Sequence, residues 1–155
     1  EVLFFVHLRY LKIAWQKGEI PSAIANLSRL ETFVVGRRLT INYLLPNTIW
    51  NMKTLRHLVV FPNYVPNYGI GFRFPIDNLE GSPDLKHLDT LTLAIDPSSR
   101  SLQKILSKLP SIRRLTCVEV NRRASARNHN DILVLNYLSF LESLKISGFA
   151  GYESR

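Results

Sequence analysis

Serines and carboxylates are plentiful in this chain, but the residues most specific to catalytic and metal sites, histidine and cysteine, are few and stand far apart. The histidines are His7, His57, His87 and His129, and the single cysteine is Cys117. A zinc site draws its ligands in closely spaced pairs, and a helical H-E-x-x-H pair places both on one face. No histidine here has such a neighbour. Gly69-Ile-Gly71 lacks the third glycine, the preceding strand and the following helix of a nucleotide fingerprint, so it reads as turn chemistry. Neither a G-x-x-x-x-G-K-[ST] loop nor a G-x-S-x-G elbow occurs. Cys117 has no partner for an intrachain disulfide. It reads as a core residue of a chain suited to a reducing compartment. The expectation is therefore a non-enzymatic segment with no catalytic, metal or cofactor residue.

Chemistry of recognition is better represented, and a repeated framework positions it. In Leu45-Pro-Asn-Thr-Ile-Trp-Asn-Met-Lys-Thr-Leu-Arg-His-Leu-Val-Val60 the apolar residues Leu45, Ile49, Met52 and Leu55 recur at near-helical spacing. From Leu58 the period changes to 2, as for a coil or short helix leading into a strand. The stretch Ile20-Pro21, Ile24, Leu27, Leu30, Phe33, Val35 repeats the unit 25 residues earlier. An L-x-x-L-x-L core then recurs six times, at Leu8-Leu11-Ile13, Leu30-Phe33-Val35, Leu55-Leu58-Val60, Leu88-Leu91-Leu93, Ile112-Leu115-Cys117 and Leu141-Leu144-Ile146. Each is preceded three positions earlier by Phe5, Leu27, Met52, Leu85, Leu109 or Leu138. The intervals between cores are 22, 25, 33, 24 and 29 residues. Leucine-rich repeats run roughly 20–29 residues, so the long interval carries an insertion.

The predicted fold is α/β: a leucine-rich-repeat solenoid, a right-handed superhelix of about six irregular repeats with a parallel sheet on its concave face. Residues 1–155 read as one repeat domain. Both ends are expected to continue into a longer array, because solenoids close with polar caps and none is visible. Residues 61–84, with four prolines and three glycines, read as a loop insertion carrying Tyr64, Tyr68, Phe72 and Phe74 as a local cover or as binding anchors. Residues 98–109 read as the best helix. Ser98 or Ser99 caps it, Leu102, Ile105, Leu106 and Leu109 face inward, and Pro110 stops it. A polar loop is expected over 121–130.

Strand side chains alternate, so residues between the buried leucines face the concave side. The first column is Tyr10, Thr32, His57, Thr90, Arg114 and Ser143; the second is Lys12, Val34, Val59, Thr92, Thr116 and Lys145. A third is Ala14, Gly36, Phe61, Ala94, Val118 and Ser147. Together they form a candidate protein-binding face that mixes apolar, hydroxyl and basic groups.

Charge concentrates elsewhere. The chain carries a net +8, and between Pro97 and His129 eight basic residues oppose one acid, Glu119. Arg100, Lys104, Lys108, Arg114, Arg122, Arg123 and Arg127 form a candidate basic docking surface, distributed over helix, sheet and loop. No aromatic residue falls in that stretch, so base-stacking platforms are missing and nucleic acid is not the expected partner. A scattered basic field steers a protein with an acidic surface. No run approaches the ~18 apolar residues of a membrane span.

The run Leu45-Pro-Asn-Thr-Ile-Trp-Asn-Met-Lys-Thr-Leu-Arg-His-Leu58 resembles repeats of plant intracellular nucleotide-binding leucine-rich-repeat receptors. So do Ile20-Pro-Ser-Ala-Ile-Ala-Asn-Leu-Ser-Arg-Leu-Glu-Thr-Phe33, Asn78-Leu-Glu-Gly-Ser-Pro-Asp-Leu-Lys-His-Leu-Asp-Thr-Leu91 and Leu102-Gln-Lys-Ile-Leu-Ser-Lys-Leu-Pro-Ser-Ile-Arg-Arg-Leu115. The likeness is to the coiled-coil class, late blight resistance family. It implies a cytoplasmic recognition and autoinhibition module of a defence receptor. Its partners would be the receptor's own nucleotide-binding domain, or a pathogen or host protein. The ATP/ADP site of that family lies in another domain, so no cofactor belongs to this segment. The alternative is an extracellular leucine-rich-repeat ectodomain, suggested by Gly18-Glu-Ile-Pro21 and the glycosylation sequon Asn26-Leu-Ser28. Irregular spacing and the lack of paired cap cysteines weigh against it.

Overall fold

The same turn closes ahead of every strand core. The amide of the first core leucine or isoleucine donates to the carbonyl three residues back, from Leu8 to Phe5, Leu30 to Leu27, Leu55 to Met52, Leu88 to Leu85, Ile112 to Leu109 and Leu141 to Leu138, at 2.9–3.4 Å. A computed structural model of the chain describes residues 5–15, 19–36, 43–60, 64–65, 69–70, 72–73, 75–76, 79–95, 101–119 and 138–148.

Six strands follow those turns: β1 (Tyr10–Ile13), β2 (Thr32–Val35), β4 (His57–Val60), β8 (Thr90–Ile95), β9 (Arg114–Glu119) and β10 (Ser143–Gly148). They form one parallel sheet in the order β1-β2-β4-β8-β9-β10, which is chain order. The last two apolar positions of every expected core lie inside one of them. The register matches repeat to repeat, with Leu11 beside Phe33, Phe33 beside Leu58, Leu58 beside Leu91, Leu91 beside Leu115 and Leu115 beside Leu144. Parallel neighbours need a crossover between them, and here each crossover is the remainder of one repeat.

Proline sets the crossovers of the two clearest repeats. Pro21 and Pro46 precede 3-10 helices over Ser22–Asn26 and Asn47–Asn51, and each proline carbonyl accepts the amide of Ile24 or Ile49. A proline fixes its own φ and gives up no hydrogen bond there, because the first amides of a helix have no internal partner. Ile24, Leu27 and Leu30 in one repeat, and Ile49, Met52 and Leu55 in the next, are buried. Together with Phe33, Leu58, Leu85, Leu88, Leu91, Leu106, Leu109, Ile112, Leu115 and Cys117 they belong to one continuous core. Fully burying a side chain of this size stabilises by roughly 1.5–3 kcal/mol. Side-chain rungs tie the crossovers together. The Thr48 hydroxyl donates to the Ser22 carbonyl, and the Thr54 hydroxyl contacts the carbonyls of Ser28 and Leu30, each at 3.0 Å.

The insertion at 61–84, expected as a loop, contains short pairings in its described residues. β5 (Tyr64–Val65) runs antiparallel to β6 (Gly69–Ile70). β7 (Phe72–Arg73) lies parallel to β3 (Tyr43–Leu44), which precedes Pro46. Pro62, Pro66 and Pro75 deprive the segment of ladder donors, in keeping with strands of two residues. A 3-10 helix at Leu79–Gly81 returns the chain to the core through buried Leu79. The side chains of Tyr64, Tyr68, Phe72 and Phe74 lie outside the described residues.

The helix ends two residues before its sequence pattern does. α1 spans Ser101–Ser107, after which the amides of Lys108 and Leu109 bond three residues back. The last turn thus tightens toward Pro110, with Ile105, Leu106 and Leu109 buried as expected. Ser98, Ser99 and the loop 121–130 lie outside the described residues.

Candidate recognition face

The outward side of the sheet is the place where this fold brings the candidate binding side chains together. Registered pairing carries Tyr10 to Thr32, His57, Thr90, Arg114 and Ser143 without a break, so the whole first column is assembled side by side. Tyr10, Arg114 and Ser143 are exposed, and Thr32, His57 and Thr90 are half-buried. The Thr90 hydroxyl donates to Asp89 Oδ2 at 3.0 Å. This column offers one phenol, one imidazole, one guanidinium and three hydroxyls.

The second column is less uniform. Lys12 and Lys145 are exposed, and Val59, Thr92 and Thr116 are half-buried. Val34, expected on the open face, is only 8% exposed. It stands in register between Lys12 and Val59 on an inner strand, where neighbours flank it on both sides. The β4–β8 pairing covers only His57 with Thr90 and Leu58 with Leu91, whereas β8 and β9 pair over six residues. The gap falls where the long insertion leaves β4. Of the third column, Ala14 is exposed and Gly36 is buried. The Gly36 amide donates to the Ile13 carbonyl at 2.6 Å, and a Cβ there would sit 3.3 Å from the same oxygen. Phe61 and the side chains of Ala94, Val118 and Ser147 lie outside the described residues.

Lys12, Arg114 and Lys145 give this face its charge, and the first two columns contain no acid. Of the remaining basic residues of the expected docking surface, Lys104 and Lys108 are paired elsewhere. Lys104 Nζ lies 3.6 Å from Glu80. Lys108 Nζ lies 3.5 Å from Asp84 Oδ1 and donates to the Ser82 carbonyl at 2.8 Å. Both lysines are thus partnered within the crossover layer, across the core from the sheet's open face. Arg100, Arg122, Arg123 and Arg127 lie outside the described residues.

Cys117 is buried on the core side of β9, and desolvation raises its thiol pKa from 9.0 to about 11. A thiol so shifted stays protonated at neutral pH and is a poor nucleophile. Among the described residues, no cluster of three potential metal ligands occurs. Nor is any described helix long and apolar enough to cross a membrane. One group of residues was missed in the sequence: the position just before each outward column, Arg9, Glu31, Arg56, Asp89, Arg113 and Glu142. Each member directly follows the first apolar residue of a core, and the structure adds the side-chain contacts between them.

Comparison with known proteins agrees with the repeat frame. A family model described as "Leucine-rich repeat region" matches residues 1–154. Three relatives from Solanum demissum illustrate the similarity. The late blight resistance protein homolog R1B-14 is 36% identical over 145 residues, covering 90% of this chain and 10% of that protein. Late blight resistance protein R1-A is 33% identical over 144 residues, covering 91% and 10%. The homolog R1B-16 is 34% identical over 140 residues, covering 90% and 10%. The chain therefore spans about a tenth of the length of these relatives. The six in-register strands and the match across the chain place it in the leucine-rich-repeat family, as a region similar to the repeats of late blight resistance proteins of the R1 family.

Proposed function

We propose that this chain is a protein-recognition module of an intracellular plant disease-resistance receptor. Its outward sheet face is the contact surface. The observation that carries the reading is the unbroken column Tyr10, Thr32, His57, Thr90, Arg114, Ser143, held in register by a parallel sheet. Strands fix such side chains more tightly than loops do, and tyrosine and arginine, both present in this column, are enriched at protein contacts. The relatives' names supply the biological setting of disease resistance. In this reading the repeats wind as a right-handed solenoid with that face concave, in the cytoplasm. The partner is the receptor's own nucleotide-binding domain, held in an inactive arrangement, or a pathogen or host protein. The basic residues Arg114, Arg122 and Arg123 add electrostatic docking to an acidic partner surface.

The test uses the full-length receptor. Tyr10→Ala with His57→Ala probes the face, and Arg114→Glu with Arg122→Glu and Arg123→Glu probes the charge. Co-precipitation of the repeat region with the nucleotide-binding domain, read at low and high salt, gives association; cell death in leaf tissue gives signalling. Weakened association with autoactivity supports the autoinhibitory contact. Unchanged association with lost pathogen response supports recognition of an outside protein. If neither set of changes alters association or signalling, the face is not the contact surface.

A further inference from the structure

A column of charged residues crosses the whole sheet one position before the outward face begins. In strand order it reads Arg9, Glu31, Arg56, Asp89, Arg113, Glu142. The sign changes at every step. Charged residues make up 21% of the chain, so composition alone does not fill one column six times out of six.

The backbone holds this column in line. The Arg9 carbonyl accepts the amides of Glu31 and Thr32 at 2.8 and 2.9 Å. The Glu31 carbonyl accepts Arg56 and His57, that of Arg56 accepts Asp89 and Thr90, that of Asp89 accepts Arg113 and Arg114, and that of Arg113 accepts Glu142 and Ser143. Side chains meet along it. Arg9 Nη1 lies 3.5 Å from Glu31 Oε1, Arg113 Nε lies 3.7 Å from Asp89 Oδ1, and Arg113 Nη1 lies 3.3 Å from Glu142 Oε1. Arg113 thus bridges acids on both neighbouring strands. Arg56 occupies the one remaining cationic position, between Glu31 and Asp89.

Spacing decides the net sign of the effect. Adjacent strands lie about 4.8 Å apart, so next-nearest neighbours stand about 10 Å apart. The Debye length at physiological salt is about 8 Å. Nearest-neighbour attraction therefore outweighs next-nearest repulsion. Each exposed pair alone contributes little, and linked charges contribute more than isolated pairs. Here Asp89, Arg113 and Glu142 are linked, Arg9 and Glu31 form a pair, and Arg56 acts on its two acidic neighbours without a contact inside 4 Å.

The central apolar column distinguishes the repeats poorly. Leu11, Leu58, Leu91, Leu115 and Leu144 are the same residue, and only Phe33 differs. In that column a skipped repeat still sets one apolar residue against another. The charged column would not match: pairing β1 with β4 sets Arg9 against Arg56, β2 with β8 sets Glu31 against Asp89, β4 with β9 sets Arg56 against Arg113, and β8 with β10 sets Asp89 against Glu142. We propose that the column Arg9, Glu31, Arg56, Asp89, Arg113, Glu142 sets the stacking order of the repeats, favouring each strand's true neighbour and opposing every single-repeat skip. The same rule applies at the outer edge of β10: a further strand adding beside Glu142 must be led by a cation. Like charges directly opposite one another on adjacent strands are destabilising, which is the physical basis of the rule.

Two variants of the chain test this. The inverted column (Arg9→Glu, Glu31→Arg, Arg56→Glu, Asp89→Arg, Arg113→Glu, Glu142→Arg) changes every residue and keeps every opposite-sign neighbour. The all-acid column (Arg9→Glu, Arg56→Glu, Arg113→Glu) makes all neighbours alike. It also lowers the net charge from +8 by six, to +2, which relieves general repulsion in the rest of the molecule. Thermal unfolding followed by circular dichroism is read in low salt and in ~1 M NaCl, where the Debye length is about 3 Å. The inverted column is expected to melt within about 3 °C of the parent, and the all-acid column about 8 °C or more below it in low salt, with at least half the loss recovered in high salt. An all-acid chain that folds only in high salt gives the same answer. The proposal is overturned if the all-acid column melts with the parent, or if the inverted column falls as far as the all-acid one.

Discussion

The indole N–H of Trp50 donates to the carbonyl of Pro75 at 3.2 Å, joining the third repeat to the far end of its own insertion. Trp50 is 1% exposed, and Pro75 is buried. The same position in the preceding repeat is Ala25, half-buried, so the large ring is particular to the repeat that carries the long segment. Trp50→Phe keeps most of the apolar volume and removes the donor. The buried Pro75 carbonyl then loses this partner, at a cost of about 1–3 kcal/mol. Trp50→Ala adds a cavity and is expected to cost about 3–5 kcal/mol. Urea unfolding should rank parent, Trp50→Phe and Trp50→Ala in that order of midpoint.

Leu58 occupies the centre of the sheet, fully buried and in register between Phe33 and Leu91. Leu58→Asp puts a carboxylate where no described side chain could pair with it, and burying an unpaired charge costs several kcal/mol. The middle repeats should lose their cooperative melt. Leu58→Met conserves volume and should stay within about 1.5 kcal/mol of the parent. A Leu58→Asp chain that melts like the parent would contradict the repeat frame itself.

Much of this architecture is legible in the sequence because a leucine-rich repeat writes the same turn and strand each time. The six cores and the parallel sheet follow from the recurring L-x-x-L-x-L frame, and the inward face of α1 at Ile105, Leu106 and Leu109 from its helical spacing. The short β3–β7 pairing is not legible, since Tyr43–Leu44 and Phe72–Arg73 lie far apart and have no pattern of their own. Val34 shows the limit of alternation: period 2 gives the side of the sheet, not whether neighbours cover it. Lys104 and Lys108 show another. Their i, i+4 spacing indicates a basic helix face, while Glu80 and Asp84, which pair with them, come from the preceding crossover. The charged column is aligned by the same six cores, each member following the first apolar residue of its core; what the sequence does not give is which of these side chains meet across the strands.

Cys117 makes stability depend on alkaline pH. Burial raises its pKa from 9.0 to about 11, so the folded state holds the proton more tightly than the unfolded state. Below pH 9 both states are protonated and the thiol adds no dependence. Between pH 9 and about 11 the unfolded state releases the proton first, so stability falls as pH rises, by up to about 2–3 kcal/mol. Tyrosines and lysines also titrate there, so the comparison is with Cys117→Ala. The difference in unfolding free energy between parent and variant should shrink as pH rises from 9 to 11, and a constant difference would count against a buried thiol at this position. Alkylation at pH 7.5 should likewise be slow until denaturant is added.

Lys104 and Lys108 look equivalent in the sequence and are expected to differ in effect. The Lys104–Glu80 pair is largely in solvent, with side chains 63% and 91% exposed, and such pairs contribute from nothing to about 1 kcal/mol. The Lys108 side chain is 19% exposed and holds both Asp84 and the Ser82 carbonyl. Its backbone carbonyl also accepts the Leu85 amide at 2.9 Å, so the end of α1 is fastened to the start of the fourth repeat by backbone and side chain together. Lys108→Met keeps the aliphatic stem and removes the ammonium. It should cost about 1–3 kcal/mol, because the Ser82 carbonyl loses its charged donor and Asp84 loses its partner. Lys104→Met should stay within about 0.5 kcal/mol of the parent. Adding ~0.5 M NaCl should reduce the small Lys104 effect toward zero and leave most of the Lys108 effect, since partly buried contacts are screened less. Equal losses for the two substitutions, or a Lys108→Met loss abolished by salt, would show that the bond to Ser82 does not fasten α1.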